Sequence, residues 1–313
     1  MLLKKLSPKH LSVFLCLVSC MVFGQSNEEI RKRADDFFEA EKYVDATKDY
    51  VHLLSLQPTD ADLNFKYGTC LLFNSNDKNK ALRYLTFAVK NEGVDPRAYF
   101  FNGKALHLDY QFEKAKQSYI LYQEKRDKKD DRYKVELSIS MCDNGKKLLS
   151  TFTDIIVTNK QEIGSDNFFK IYSDSKTIGG EILVVAKFQS KIDKKMNHVP
   201  VVHFPPNAKA IYYASYGVDG ANGKDLFLMR KLPDNTWSSP INLGATINTP
   251  GDEDYPYVTP DGRTLYFCST KHGSMGGYDI FKAIWNDKKG EWEAPQNLGA
   301  PINSPFDDLY FVE

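Results

Sequence analysis

The sequence predicts a multidomain chain, α then β, with an N-terminal helical solenoid followed by an incomplete β-propeller. Three observations carry that prediction. Residues 27–149 hold few helix breakers and repeat small residues every 34 or 35 positions. Residues 150–313 break into short β-branched and aromatic runs between Gly, Pro, Asn and Asp clusters. Within that second region whole phrases recur 54 or 55 positions apart.

Taken in order, residues 1–24 read as a signal peptide. Lys4, Lys5 and Lys9 precede an apolar run over residues 11–23, too short to span a bilayer. Two processing routes follow. Val22 and Gly24 suit a signal peptidase cutting before Gln25. Leu17-Val18-Ser19-Cys20 also reads as a lipobox, which would leave Cys20 as a lipid anchor. The apolar run continues past Cys20, which favours ordinary cleavage, and both routes export the protein to the periplasm or the outer membrane.

Residues 27–149 form the helical domain. Ala34, Gly68 and Gly103 are 34 and 35 positions apart, and Ala46, Ala81 and Ala115 are 35 and 34 apart. Four residues after each of the second set stand Tyr50, Leu85 and Tyr119. A small residue on each helix of a pair lets the helices approach closely, and a large residue one turn on fills the space beside them. One further helix is expected over residues 132–149. The charged run at residues 126–132 reads as a solvated turn, and His52 and His107 stand alone.

Residues 150–313 form the β domain. Trp237-Ser-Ser-Pro-Ile-Asn-Leu-Gly-Ala-Thr-Ile-Asn-Thr-Pro250 recurs 55 positions later as the run beginning Trp292-Glu-Ala-Pro-Gln-Asn-Leu-Gly. The run at 211–215 recurs at 265–269, and that at 224–227 recurs at 278–281. One unit predicts strands at 254–258, 264–269, 278–285 and 292–298, with Asp261-Gly262 turning between the first two. Four short strands in about fifty residues have the size of one propeller blade. The expectation is one divergent blade over 150–195, two clear blades, and an opening strand of a further one at 306–313, so the propeller reads as truncated and the chain as a fragment.

The small and aromatic positions of residues 27–128 resemble the tetratricopeptide repeat, without its usual Trp and with Ala34 in place of a Gly. Pro260-Asp-Gly-Arg-Thr-Leu-Tyr-Phe-Cys-Ser269 and Met275-Gly-Gly-Tyr-Asp-Ile-Phe281 resemble WD40-like repeats of the PD40 or TolB-like kind. The combination is similar to exported cell-envelope proteins of the Bacteroidota. Members of that group often carry an OmpA-like peptidoglycan-binding domain further on, and some are associated with type IX secretion and gliding.

Equal numbers of basic and acidic residues, 41 each, argue against a nucleic-acid footprint. Cys70, Cys142 and Cys268 form no metal or disulfide spacing and read as buried thiols. The glycine-rich stretch His272-Gly-Ser-Met-Gly-Gly-Tyr-Asp279 could cradle a phosphate, form a metal loop or present a catalytic carboxylate, but Asp279 has a counterpart in Asp225. A group needed in every repeat is structural, so Asp279 is expected to accept backbone N–H bonds from its turn. Asp219, Asn222 and Asp225 fail the calcium-loop pattern, because Arg230 stands where the bidentate Glu belongs. Asp252, Glu253 and Asp254, echoed by Asp307 and Asp308, could bind a cation, but their recurrence favours solvated or turn-capping roles. His198 and His203 flank a predicted strand without a carboxylate to complete a zinc site.

No catalytic, cofactor-binding or metal residue is therefore assigned. The expectation is a non-catalytic protein-binding scaffold of the envelope, linked to secretion, gliding or peptidoglycan anchoring. Its partners are proteins held in the helical groove and on the propeller face, with no cofactor, no nucleic acid, and membrane contact only through Cys20. The alternative is the gating propeller of an exported hydrolase whose catalytic domain lies beyond residue 313. The export reading predicts processed protein outside the cytoplasm on cell fractionation. A lipid-analogue label lost in Cys20→Ala would mark the lipoprotein route, whereas unprocessed protein in the cytoplasm would refute export.

Overall fold

A computed structural model describes residues 26–164, 180–206 and 209–312. The signal segment, Cys20 included, lies outside the described residues. Helices come first, then antiparallel sheets. The chain divides into two compact units, one ending at Ala105 and the other beginning at Leu106. The division falls inside a helix, so the last two long helices belong with the strands.

The first unit contains α1 (Asn27–Glu39), α2 (Tyr43–Leu56), α3 (Ala61–Asn74) and α4 (Lys78–Ala88). Most of α5 (Arg97–Leu108) also lies in it. Ser26 starts α1 through a reciprocal box, its Oγ accepting from Glu29 N while the Glu29 carboxylate accepts from Ser26 N. Asp60 and Asp77 cap α3 and α4 through their side chains.

The repeated small positions are where helices meet. Ala34, Ala46 and Ala81 are fully buried, and Tyr50 and Leu85 fill the neighbouring space. A Cβ on Gly68 would stand 2.8 Å from Leu85 Cγ and 3.1 Å from the Leu85 backbone nitrogen. The helical region is repeat-like, as the spacing predicts.

The second unit begins with the end of α5, then α6 (Phe112–Lys125) and α7 (Val135–Leu149). Strand β1 (Glu181–Val184) leads through a single 3-10 turn, Ala186–Phe188, to the short helix α8 (Lys191–Lys195). Next come β2 (Val201–Phe204), β3 (Ala210–Ser215), β4 (Asp225–Arg230) and β5 (Ile241–Asn242). The first sheet has the order β1-β2-β3-β4-β5. The second has the order β10-β8-β7-β6, from β6 (Glu253–Val258), β7 (Thr264–Ser269), β8 (Asp279–Asn286) and β10 (Gln296–Asn297). A further strand, β9 (Glu291–Trp292), pairs with β8.

Alternation along the strands gives each sheet two apolar faces. Ala214 and Leu226 of the first sheet pack with Val258, Leu265, Phe267 and Phe281 of the second, and Ile247 joins them from the connection. The opposite face of the first sheet gathers Val202, Ile211 and Tyr213. That of the second sheet gathers Tyr257 and Tyr266 with Tyr310.

Three expectations need correction. Among the described residues, 150–195 do not form a blade of their own. Their one strand, β1, pairs with β2, and an exposed run with Phe152, Ile156 and Val157 precedes it. Residues 306–312 form no strand; Tyr310 stands at φ +62°, and Phe311 packs against Tyr266 on the second sheet with ring centroids 4.7 Å apart. The expected strand at 292–298 is split in two, because Ala294-Pro295 stands between β9 and β10 and Pro lacks a ladder donor.

A test follows from Gly68. In an exposed helix Gly→Ala gains about 1 kcal/mol, but overpacking a close helix contact costs about 1–3 kcal/mol. Gly68→Ala should therefore lower the urea midpoint. The loss in Gly68→Ala combined with Leu85→Ala should be smaller than the sum of the two singles.

Candidate functional site

The β repeat resolves into a polar clasp present twice. In the first copy Asn242 Nδ2 donates to Asp225 Oδ2 at 2.8 Å, and Asn248 Nδ2 donates to Asn242 Oδ1 at 2.8 Å. Asn248 also binds both backbone groups of Leu226, accepting from its N–H at 2.8 Å and donating to its C=O at 3.0 Å. In the second copy Asn297 donates to Asp279 and Asn303 donates to Asn297, both at 2.8 Å. Asn303 binds Ile280 at 2.7 and 2.9 Å in the same manner. Buried backbone groups need partners, and the repeated Asn-Leu-Gly and Ile-Asn phrases supply them.

Asp279 does more than its counterpart. Its Oδ2 accepts from Met275 N at 3.0 Å and its Oδ1 from Gly276 N at 3.1 Å. Burial pushes its carboxyl up to about 6 against these donors. Asp225 departs from the expectation. Among the described residues it keeps only the Asn242 bond, and its buried Oδ1 has no hydrogen-bond partner there. The loop before it turns through Gly217, Gly220 and Gly223, and Lys224 N is spent on Asp252 at 2.9 Å, so its N–H groups do not converge on Asp225.

The acidic residues between repeats also hold backbone. Glu253 accepts from Thr249 N, Thr249 Oγ1 and Ser269 Oγ, each at 2.7 Å. Asp308 accepts from Ser304 N at 2.6 Å, and burial raises it to about 6. Asp252 and Asp307 receive Lys224 N and Tyr278 N, both at 2.9 Å. Asp193, which the sequence analysis did not single out, has the same role, accepting from Ser190 N, Ser215 Oγ and Tyr216 N. Asp254 is 2 % exposed and pairs with Lys224. Burial works to lower the Lys224 ammonium, but Asp254 and Tyr278 outweigh it and its pKa is raised. Glu253 and Asp254 are thus buried partners of specific donors, not solvated charges.

His107 is not isolated. It donates from Nε2 to Met275 O at 2.6 Å, which leaves Nδ1 to face Cys142 Sγ at 3.4 Å. Asn144 Nδ2 donates to Ser274 O at 3.1 Å. The glycine-rich turn is therefore gripped twice, its N–H groups by Asp279 and its carbonyls by side chains from α5 and α7. Burial pushes the Cys142 thiol up to about 12, which suppresses its nucleophilic form.

His198 and His203 do not converge. His198 donates to Ala214 O at 3.2 Å. His203 lies within β2 rather than beside it, and its Nδ1 accepts from Val258 N at 3.1 Å. Its Nε2 has no hydrogen-bond partner among the described residues, and burial pushes the imidazole down to about 3. Among the described residues no group of three or more His, Cys, Asp or Glu could hold a metal ion.

Among the described residues, a set of ion pairs on the helices and a cleft on the first sheet lie outside these turn contacts. On the helices, Arg31 bridges Asp60 and Asp62 at 3.0 and 2.7 Å, and Lys66 bridges Asp35 and Asp62 at 2.8 and 2.9 Å. Arg97 joins Glu39 and Asp95 and lies 5.6 Å from the Phe38 ring. On the first sheet a cleft of about 400 Å³ is lined by Lys187, Phe188, Tyr213, Phe227, Met229 and Pro240, among others. No family model and no curated protein matches the chain.

His203 yields a pH test. Its folded pKa is depressed, so the unfolded chain binds its proton first and stability falls as pH drops from about 6.5 towards 3. Asp279 and Asp308, with raised pKa values, act in the opposite direction between about 4 and 6. The wild-type curve minus that of His203→Gln should therefore slope by about 1.4 kcal/mol per pH unit over that window. A flat difference would show that His203 stays accessible to protons.

Proposed function

We propose that the chain is a non-catalytic scaffold of the cell envelope that binds proteins through its helical repeat and its sheet surfaces. The observation that carries this reading is the employment of the buried carboxylates. Asp279, Glu253, Asp308 and Asp193 each accept from backbone N–H groups, as a turn anchor does. Glu253 and Asp308, 55 positions apart, accept the same bond from Thr249 N and Ser304 N in successive repeats, and a group that recurs in each repeat serves the repeat.

The helical part is read as a tetratricopeptide solenoid, supported by the buried small residues at 34 to 35 spacing. The sheets are read as WD40-like propeller blades, supported by the duplicated clasp. Such repeats offer extended surfaces to protein partners. The basic and apolar N-terminal run supports export, and the resemblance to Bacteroidota envelope proteins supports a role beside secretion, gliding or peptidoglycan. Among the described residues no helix is long and apolar enough to cross a membrane.

Asp279→Asn should lower stability by about 1–3 kcal/mol, since an amide presents a donor to Met275 N or Gly276 N. Asp225→Asn should cost less, and neither should alter hydrolase turnover. Unchanged stability with turnover lost would overturn the reading. Photo-crosslinkers placed at Val44 and Val51, exposed apolar positions on α2, should trap a protein partner in cells; failure there together with measurable turnover would favour an enzyme.

A further inference from the structure

We propose that the cleft on the first sheet binds a short acidic peptide segment carrying one aromatic or large aliphatic side chain. This rests on the protein-binding reading and names the partner class for one surface.

The floor of the cleft is a row of rings. Phe188 stacks on Tyr213 at 5.8 Å and 26°, and Tyr213 on Phe227 at 6.0 Å and 26°. The repeat gives the second sheet a matching pair, Phe267 and Phe281, at 5.9 Å and 29°. That pair is buried, within the core the two sheets share. An aromatic pair of this kind is therefore a surface that takes a cover.

On the first sheet the cover is different. Val185 and Phe188 already pack on Val202, Ile211 and Tyr213. They hold ground that a second sheet would need, so another whole sheet does not fit while they stay. The remaining space, about 400 Å³, suits one or two side chains and their backbone. Its mouth is open, because Gly217 sits at φ +65° where a Cβ would come within 3.2 Å of the Phe227 ring. Val218 beside it is 96 % exposed, an apolar side chain at the rim.

Charge selects the partner. Lys187 lines the cleft, with its Nζ 5.0 Å from the Phe188 ring centroid. Lys191, Lys194 and Lys195 stand exposed on α8, which continues from the cleft wall at Ser190. Among the described residues none of these four forms an ion pair. The one carboxylate in the stretch, Asp193, is spent on Ser190, Ser215 and Tyr216. An acidic segment answers the lysines, and an apolar side chain among its acids answers the rings. Coulomb attraction then sets encounter rate and salt dependence, and the buried side chain sets residence.

The test uses the full chain and a fluorescein-labelled synthetic peptide with one phenylalanine among glutamates and aspartates, read by fluorescence anisotropy. The peptide should bind, and salt at about 0.5 M should weaken it strongly. Lys187→Glu and Val218→Asp alter exposed side chains and should each weaken binding about tenfold with unchanged circular dichroism. Lys288→Glu, on the turn between β8 and β9, should not.

Absence of binding, or equal binding by a peptide with alanine for phenylalanine, would overturn the proposal. So would indifference to both cleft variants. A dimer in sedimentation that Val218→Asp abolishes would make a second copy the occupant and also refute it. A partner trapped from α2 while the peptide fails would sink this inference alone and leave the scaffold reading standing.

Discussion

The β region depends on one constraint, that the backbone at the start of β4 and β8 is buried and must be hydrogen-bonded. Short strands cannot satisfy it by ladders alone, because β5 and β10 contribute only two residues each. Asn248 and Asn303 satisfy it with side chains, each binding one residue's N–H and C=O together. Asn242 and Asn297 then tie them to Asp225 and Asp279. A fully connected polar network stiffens its surroundings, while a partly connected one is costly. The clasp thereby fixes where the fourth strand lies, and the connection that follows carries Ile247 into the core between the sheets.

The same logic explains the glycine-rich turn. Its N–H groups converge on Asp279 and its carbonyls face His107 and Asn144, so few of its polar groups are left for a ligand. Glycine is required there by close approach. A Cβ on Gly276 would strike the carbonyls of Ser304 and Phe306, and one on Gly277 would strike the Asp307 carboxylate. The segment that packs this tightly is the one leading to Tyr310 and Phe311, which cover the second sheet. Turn, clasp and covering segment act as one assembly.

The two apolar outer faces of the sheets are covered to different degrees. Residues 307–312 lie across the second sheet and bring Asp308 to its hydroxyl and backbone partners. Among the described residues the first sheet is covered by the Val185–Phe188 turn and Trp237, and Phe227 and Met229 line a cleft beside them. That asymmetry arises in sequence. The connection between β1 and β2 contains lysines and a short capped helix, whereas the stretch after the second sheet contains Leu-Tyr-Phe-Val. A cleft is left where a sheet face of this kind receives a smaller cover.

The sequence by itself determined the order of helices and strands, the buried small positions Ala34, Gly68 and Ala81, the β7 strand and the turn at Gly262. Each is set by local spacing, volume or a required positive φ, and those act within a few residues. It also marked Asp279 as the anchor of its turn, because a short acid just after a run of glycines has their backbone N–H groups within reach. Only the tertiary structure decided that His107 binds Met275 O, 168 positions away, since nothing near His107 marks its partner. It likewise decided that Asp225 lacks the turn bonds of Asp279, which depend on where a loop of different length directs its N–H groups. The fate of β1, joined to β2 rather than to a blade of its own, was also a tertiary matter. A short apolar strand carries no local label for its neighbour, and pairing goes to whichever edge is within reach.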